Sequence, residues 1–225
     1  MKDLYPLGEM PPLGELPSLM YAQVIRQSRF GDPRLAYQIE KVEVPSPGPL
    51  EVIIYVMATG VNYNGVWAAK GYPLDVIQVR QRSGEPWDFH VGGSDCSGVV
   101  FAVGEGVTNV KVGDQVITHP GWWDPEDPVA QDTGDGTFSN TMKIWGYETT
   151  WGSFGQFAKA KAHQCLPKPK RLTWEAAACY MLVGSTAYRM LTGWAPHTVR
   201  SGDVVLVWGG AGGLGSIAIQ LIREM

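Results

Sequence analysis

Residues 203–225 read DVVLVWGGAGGLGSIAIQLIREM, and this stretch decides the fold that we expect for the chain. Its first part, Val204 to Trp208, is an unbroken apolar run rich in β-branched residues. Such a run is typical of a parallel strand that is buried on both faces. Beyond a glycine-rich turn, apolar residues recur at three- and four-residue spacing, which predicts a helix with one apolar face. That face consists of Leu214, Ile217, Ala218, Leu221 and Ile222.

The turn between this strand and this helix carries glycines in the spacing G-x-G-x-x-G, at Gly210, Gly212 and Gly215. Residues without side chains let backbone N–H groups and the positive end of a helix approach a pyrophosphate closely. The sequence therefore predicts a dinucleotide phosphate site, formed by Gly210, Gly212, Gly213, Leu214 and Gly215. The alternative is a tight turn without a ligand, because glycine clusters also serve that purpose.

A dinucleotide-binding domain needs several further strand and helix pairs, and a residue about 20 positions later that contacts the ribose. The sequence ends at Met225, inside the first helix after the glycine turn. We therefore expect the chain to hold only the beginning of this domain.

The composition is ordinary for a globular protein, with 44% hydrophobic and 18% charged residues. The net charge of −4 argues against a nucleic-acid partner, which favours a basic surface. No apolar run approaches the roughly 18 residues of a membrane span, and the N-terminus lacks the regions of a signal peptide. We therefore expect a cytoplasmic protein without a membrane partner. Three cysteines, Cys96, Cys165 and Cys179, are far apart, which indicates small buried residues rather than disulfides.

The chain before residue 173 is predicted to be an arm followed by a β-rich domain. Residues 1–19 contain six prolines and glycines, which indicates an arm laid over the surface. Between residues 20 and 172, short strand patterns alternate with Gly and Pro turns, which is typical of a compact barrel or sandwich. The predicted strands lie within 20–27, 37–45, 51–62, 97–107, 111–120 and 152–169.

The sequence pattern changes near Leu172, beyond which the residues are alanine-rich and typical of helices. Thr173 can cap a helix that begins at Trp174, and Ser185 is predicted to open another helix that Gly193 ends. We therefore predict an α/β domain over residues 173–225. The acidic and aromatic region 122–152 has no clear period, and a loop of this length is usually functional.

The β-rich part of the chain comes first, followed by the helical TAYRML and then by VVLVWGGAGGLG. This order of segments resembles the medium-chain dehydrogenase/reductase superfamily. Within it, several phrases resemble the crotonyl-CoA carboxylase/reductases closely: KDLYPLGEMPPLGELP, YVMATGVNYNGVWAAKG, GSDCSGVV, KIWGYET, GSFGQFA, LTWEAAACYML and TAYRMLTGWAPHTVRSGD. The resemblance implies an α+β and α/β chain, with a GroES-like substrate domain followed by the first part of a Rossmann NADP-binding domain. It covers nearly the whole sequence.

The resemblance also implies an activity, in which NADPH delivers hydride to the β-carbon of an enoyl-CoA. The resulting enolate is captured by CO2 rather than by a proton, which yields an alkylmalonyl-CoA. The expected protein partner is a second copy of the chain, or a complementing chain that carries the rest of the cofactor domain.

Site residues follow from the same resemblance. An asparagine of the NYN stretch, Asn62 or Asn64, and the pair Tyr147 and Glu148 are implied to surround CO2. A histidine of the same site would lie beyond Met225. Thr186 is implied to face the nicotinamide and its phosphates. Two tyrosines, Tyr72 and Tyr63, are candidates to donate a proton to the enolate.

The residues themselves leave alternatives open. A neutral amide suits CO2, because its N–H can polarise an uncharged molecule without holding a carboxylate product too tightly. Asn62 and Asn64 can instead cap a turn beside Gly65, and Glu148 can be a solvated loop carboxylate. The tyrosines can be packing residues, and Thr186 can be an ordinary helix start.

No metal site is expected. A catalytic zinc needs Cys, His and carboxylate ligands, and a structural zinc needs four clustered cysteines. Where the superfamily places a Gly-His-Glu ligand motif, this chain reads Gly93-Ser94-Asp95. The histidines lack ligand spacing and are expected to be structural or exposed: His90, His119, His163 and His197.

Two competing functions remain. One is a plain enoyl-CoA or quinone reductase, in which solvent or a tyrosine supplies the proton. The other belongs to a different class, a non-catalytic or incomplete polypeptide that needs a complementing chain. The second hypothesis follows from the apolar helix face after Gly212, which no further strands would cover. Exposing that face to water would lower the free energy of unfolding by several kcal/mol.

Overall fold

The computed structural model describes residues 2–196 and 198–225. Its ten strands in these ranges are β1 Leu19–Arg26, β2 Gln38–Glu43, β3 Glu51–Gly60, β4 Phe89–Val91, β5 Asp95–Val103, β6 Gln115–Thr118, β7 Gly121–Trp122, β8 Lys143–Ile144, β9 Phe157–Lys161 and β10 Cys165–Pro167. The seven α-helices there are α1 Pro33–Ala36, α2 Tyr63–Lys70, α3 Val76–Arg82, α4 Pro128–Thr133, α5 Trp174–Ala177, α6 Met181–Thr192 and α7 Gly213–Glu224.

The strands form three antiparallel sheets. A three-stranded sheet has the order β2, β1, β4, and a five-stranded sheet has the order β10, β6, β5, β3, β9. The third sheet pairs only β7 with β8. A bridge between Ala22 and Gly155 connects β1 to the segment that precedes β9. The predicted β-rich domain is confirmed by this arrangement.

The core lies where the two larger sheets face each other. Aromatic rings fill its centre, with Tyr55 and Phe101 5.5 Å apart and Phe157 5.3 Å from Tyr55. Met20 and Ile53, from the two sheets, are fully buried beside them. Ile53 and Tyr55, two residues apart on β3, face the same cluster, as the period of two of a strand requires.

Short helices α1 to α3, which the sequence analysis did not predict, cover one end of the sheets. Ala36, Ala68 and Ile77 have no exposed surface and share one cluster with Ile25 of β1. The side chain of Asp75 caps α3 by accepting hydrogen bonds from the next turn. The buried residues of α1 and α2 are mostly alanines, which give little periodic apolar signal. The apolar pattern of the sequence therefore did not predict these helices.

The segment from Val204 to Trp208, predicted to be a buried parallel strand, does not form one. It has no strand assignment, and Leu206 and Trp208 are 84% and 93% exposed. A parallel strand satisfies its N–H and C=O groups only beside another strand. Among the described residues none pairs with this segment, so the prediction of a strand is wrong for the structure.

The helices around it agree better with expectation. Thr173 caps α5 by accepting a hydrogen bond from Ala176 N at 3.2 Å, as predicted. Helix α7 begins just after Gly212, also as predicted. Helix α6, however, begins at Met181 and not at Ser185, whose hydroxyl donates to Met181 O at 2.6 Å within the helix.

Four other expectations have mixed outcomes. Cys96 and Cys165 are buried free thiols, but Cys179 is exposed, against the prediction. His197 lies outside the described residues, as does Met1 of the predicted arm. At Tyr5 the arm contacts the β-rich part, where Gln156 Nε2 donates to Tyr5 O at 3.1 Å. The domain division near residue 172 stays a prediction.

In the part of the chain that the structure describes, no helix combines the length and the apolar character needed to cross a membrane.

Candidate active site

The end of β3 carries Asn62 into a buried hydrogen-bond network. Its Nδ2 donates to Asp95 Oδ2 at 2.8 Å. Although Asn62 is the N-cap residue of α2, its side chain makes no capping hydrogen bond. The turn-capping alternative therefore does not describe this side chain. Gly60 permits the close approach, because an added Cβ there would lie 2.4 Å from Ala178 O.

Asn64, in the first turn of α2, points to Ser94, the residue before Asp95. Its Nδ2 donates to Ser94 Oγ at 2.7 Å, and Ser94 is buried. The two amides therefore converge on Ser94 and Asp95, at the place where the superfamily's zinc motif would lie.

Tyr147 and Glu148 lie on the turn after β8, which packs against the same dipeptide. An added Cβ on Gly146 would lie only 1.9 Å from Gly93 O, so the two backbones touch. Tyr147 is buried and its ring centre lies 6.4 Å from that of Trp67 on α2. The structure thus brings the NYN segment and the WGYET segment together.

Glu148 has a local role in this turn. Its Oε2 accepts a hydrogen bond from Ile144 N at 2.7 Å, and its N–H donates to Ile144 O at 2.8 Å. The carboxylate therefore closes its own turn, and Glu148 is half-buried.

The tyrosines predicted as proton donors are exposed. Tyr72 follows the end of α2 and is 72% exposed. Tyr63 is also exposed and packs edge-on against Trp67, with ring centres 5.6 Å apart. Neither is held beside Asp95 in the way that Asn62 is.

Asp95 is the residue whose importance the sequence analysis missed. It was noted there only as part of a missing zinc motif, yet it is 1% exposed. Its Oδ1 accepts a hydrogen bond from Leu182 N at 2.8 Å. Burial raises the pKa of Asp95 to about 6, against the opposing effect of the hydrogen bonds from Asn62 and Leu182. A carboxylate opening the apolar run DCSGVVFAV was the available signal.

Two hydroxyls hold the backbone of Asp95. Ser153 Oγ donates to Asp95 O at 2.7 Å, and Thr59 Oγ1 lies 2.6 Å from Ser153 Oγ. Thr59 Oγ1 also lies 3.1 Å from Asp95 O. Because each hydroxyl has one proton, one of the two hydroxyls donates to Asp95 O while the other donates to its hydroxyl neighbour.

The bond from Leu182 connects this site to the predicted cofactor region. Thr186 lies one turn further along α6, is exposed, and donates to Leu182 O at 2.8 Å. Helix α6 packs against α7, where an added Cβ on Gly184 would lie 3.8 Å from Ile217. The bonds and contacts thus run from Asp95 through α6 to the helix that follows the glycine turn.

The glycine turn folds tightly onto the start of α7. Gly209 has φ of +75°, and an added Cβ on Gly215 would lie 2.5 Å from Gly209 O. Gly212 is the N-cap and brings no capping side chain. The first N–H groups of α7, those of Gly213 and Leu214, therefore have no capping partner from this residue. Gly210 lies beside Ile219, because a Cβ added on Gly210 would lie 3.0 Å from the Ile219 side chain.

A cavity of about 820 Å³ opens between the arm, β1, β3 and α2. Its lining includes apolar side chains from Leu7, Met10, Val66 and Phe154. Asn62 lies on its wall, but Asn64, Tyr147, Glu148 and Tyr72 are not among its lining residues. The predicted site residues therefore do not all open into this one cavity.

Within residues 2–196 and 198–225, no group of three or more His, Cys, Asp or Glu side chains is placed to share a metal ion.

Comparison with known proteins places these features in a family. The sequence profile described as "Alcohol dehydrogenase GroES-like domain" matches residues 48–170. A crotonyl-CoA carboxylase/reductase of Cereibacter sphaeroides is 53% identical over 222 residues, which are 99% of this chain and 50% of that protein. A crotonyl-CoA reductase of Streptomyces collinus is 40% identical, over 86% of this chain and 45% of that protein.

Solved structures give the same result. A crotonyl-CoA carboxylase/reductase in complex with NADP superposes with a TM-score of 0.92 at 56% identity, covering 100% of this chain and 55% of that one. A 2-octenoyl-CoA carboxylase reductase in complex with NADP and 2-octenoyl-CoA has a TM-score of 0.84 at 37% identity, covering 93% and 50%. The chain spans about half the length of the curated relatives that it matches. It belongs to the alcohol dehydrogenase GroES-like domain family, within the medium-chain dehydrogenase/reductases, and matches the N-terminal half of the crotonyl-CoA carboxylase/reductases.

Proposed function

We propose that the protein carrying this chain catalyses the NADPH-dependent reductive carboxylation of an enoyl-CoA to an alkylmalonyl-CoA. In this proposal the chain supplies the substrate and CO2 domain and the start of the cofactor domain. Hydride adds to the β-carbon, the electron pair moves to the thioester as an enolate, and the α-carbon then bonds to CO2. Electrons and atoms balance without a proton.

The observation that carries the proposal is the pair of fixed amides, Asn62 and Asn64, beside the turn of Tyr147 and Glu148. Each amide uses one N–H on a protein acceptor and keeps another polar group for a ligand. Uncharged donors can polarise CO2 where its carbon is attacked, and they act most strongly where water is excluded. The buried ring of Tyr147 limits water on that side.

The glycine turn fits a dinucleotide. Its side-chain-free residues and the N–H groups at the start of α7 suit a pyrophosphate, and Gly215 has no space for a side chain. Gly210, Gly212, Gly213, Leu214 and Gly215 would hold the phosphates, with Thr186 near the nicotinamide. NADPH supplies hydride when it is bound. Support for this choice of cofactor comes from relatives in complex with NADP.

The second candidate is a non-carboxylating enoyl-CoA or quinone reductase. It is favoured by the exposure of Tyr72 and Tyr63, since an accessible phenol can exchange its proton with water. The candidate of another class is an incomplete polypeptide that needs a complementing chain, and the exposed apolar segment 204–208 favours it.

The test is a reaction of the whole protein with crotonyl-CoA, NADPH and isotopically labelled bicarbonate. Labelled alkylmalonyl-CoA supports the proposal, and saturated acyl-CoA alone supports the second candidate. Restoration of either product only by a second polypeptide supports the third.

Substitution of the amides tests their role. Asn64→Ala is expected to lower the rate of labelled product at least about tenfold, because an oriented donor is lost. Asn140→Ala makes the same change on an exposed loop residue and is expected to leave the rate unchanged. Equal rates for both variants would show that Asn64 has no part in carboxylation.

A further inference from the structure

Asp95 joins two elements through its two carboxylate oxygens. Oδ2 accepts from Asn62 Nδ2, and Oδ1 accepts from the backbone N–H of Leu182 in the first turn of α6, each at 2.8 Å. The side chain is almost completely buried, so water does not substitute for either donor. Its hydrogen bonds therefore constrain both partners.

The chemical character of these bonds decides how Asn62 is turned. A carboxylate is only an acceptor, whereas a primary amide has a donor end and an acceptor end. While Asp95 is ionised, the NH2 end of Asn62 must face it. The Asn62 oxygen and its second N–H then take fixed directions on the wall of the cavity.

We propose that Asp95 is a positioning residue, which selects the end of the Asn62 amide that is presented to the enoyl-CoA and CO2. The inference rests on the proposed function. It adds to it a residue that touches neither reactant and acts only through Asn62.

An amide at position 95 would keep the shape and invert this selection. The backbone N–H of Leu182 is only a donor, so Asn at 95 would turn its own oxygen towards it. Its NH2 would then face Asn62, which would have to present its oxygen in return. Asp95→Asn therefore retains both hydrogen bonds while it reverses the Asn62 amide.

The surroundings of Asp95 leave its ionisation sensitive to pH. The groups that contact it from other elements are neutral: Asn62, Leu182, Thr59 and Ser153. On its own strand the neighbouring titratable group is the buried thiol of Cys96, whose pKa is raised chiefly by burial, with a smaller contribution from Asp95. Ionised Asp95 requires the NH2 end of Asn62, and protonated Asp95 does not. The pKa of Asp95 is raised to about 6, so this requirement is lost as pH falls through about 6.

The experiment compares wild type with Asp95→Asn in the whole protein, between pH 5.5 and 8.5, with crotonyl-CoA, NADPH and labelled bicarbonate. The variant is expected to lose at least about tenfold in kcat for labelled product, as for a lost oriented donor. Its KM for crotonyl-CoA is expected to stay within about twofold, because uniform substrate binding is retained. Its product should shift to saturated acyl-CoA, its pH dependence near 6 should disappear, and its Tm should not fall.

A role in mere structural support would lower Tm and activity together, so that result overturns the inference. Wild-type product partition in Asp95→Asn overturns it as well. Asp114→Asn makes the same change in the exposed turn where Asp114 binds Lys111, and it is the matched control, expected to match wild type.

A double variant keeps the inference testable if Asp95→Asn does not fold. Asn62→Asp with Asp95→Asn restores a donor–acceptor pair but presents a carboxylate oxygen at position 62. It is expected to fold without regaining carboxylation, and recovered carboxylation overturns the inference. If wild type itself yields no labelled product, the proposed function fails and this inference fails with it, which differs from an unchanged variant beside an active wild type.

Discussion

At the scale of single residues, the buried carboxylate of Asp95 gives the fold a distinct pH dependence. Its pKa rises from 3.8 to about 6 on folding, so the folded protein binds this proton more tightly than the unfolded chain. The stability that it contributes is therefore greatest below about pH 4 and is lost as pH rises to about 6. The shift corresponds to about 3 kcal/mol.

Asp95→Asn should remove this slope. We expect the free energy of unfolding of the variant, relative to wild type, to rise by up to about 3 kcal/mol between pH 4 and pH 7. The difference between the two proteins is the quantity to measure, by urea unfolding at each pH. Burial lowers the pKa of His90 to about 3, which gives both proteins the same opposite slope. A difference that does not vary with pH would contradict the assigned ionisation.

At the scale of elements, the glycine turn and α7 depend on one close contact. An added Cβ on Gly215 would meet Gly209 O at 2.5 Å and Gly210 Cα at 2.8 Å, so the turn would have to open. We expect Gly215→Ala to weaken NADPH binding by the whole protein at least about tenfold, or about 1.4 kcal/mol. Fluorescence titration with NADPH measures this change.

Gly184→Ala provides the matched control for that substitution. Its Cβ would lie 3.6 Å from Tyr180 and 3.8 Å from Ile217, which are ordinary contacts. Because Gly184 lies within α6, alanine should stabilise the helix by about 0.5–1 kcal/mol and leave NADPH affinity unchanged. Equal affinity of Gly215→Ala and wild type would show that the turn does not hold the cofactor.

At the scale of the whole molecule, the segment from Val204 to Trp208 leaves large apolar side chains in water. Burying one such side chain is worth about 1.5–3 kcal/mol, so this segment favours association with another surface. We expect the 225-residue chain by itself to self-associate. Changing both Val204 and Leu206 to Lys should lower its weight-average mass in light scattering.

The control for this prediction adds the same kind of charge elsewhere. Leu35 is 70% exposed on α1, and Leu35→Lys is expected to leave the mass distribution unchanged. A monomeric wild type at high concentration, or an equal effect of the Leu35 variant, would contradict the role of segment 204–208.

Local sequence patterns were enough to predict the β-rich domain, the α7 helix and the glycine turn. The apolar, β-branched run of β3 and the Gly and Pro turns between strands are local signals, because strand propensity and turn chemistry depend on neighbouring residues. Asn62, Asn64, Tyr147 and Glu148 were identified as site residues by family resemblance. The chemical roles of these four residues stay proposals.

Where those local patterns end, and which distant residues they contact, depends on the folded chain. Helix α6 starts at Met181, and Asp95, 87 residues earlier, accepts the Leu182 N–H that has no partner within the helix. The strand predicted at 204–208 is absent because pairing needs a neighbour that its own residues cannot provide. Asn62 is held by a carboxylate 33 residues away. Hydrogen bonds between distant residues have no period in the sequence, so only the folded chain reveals them.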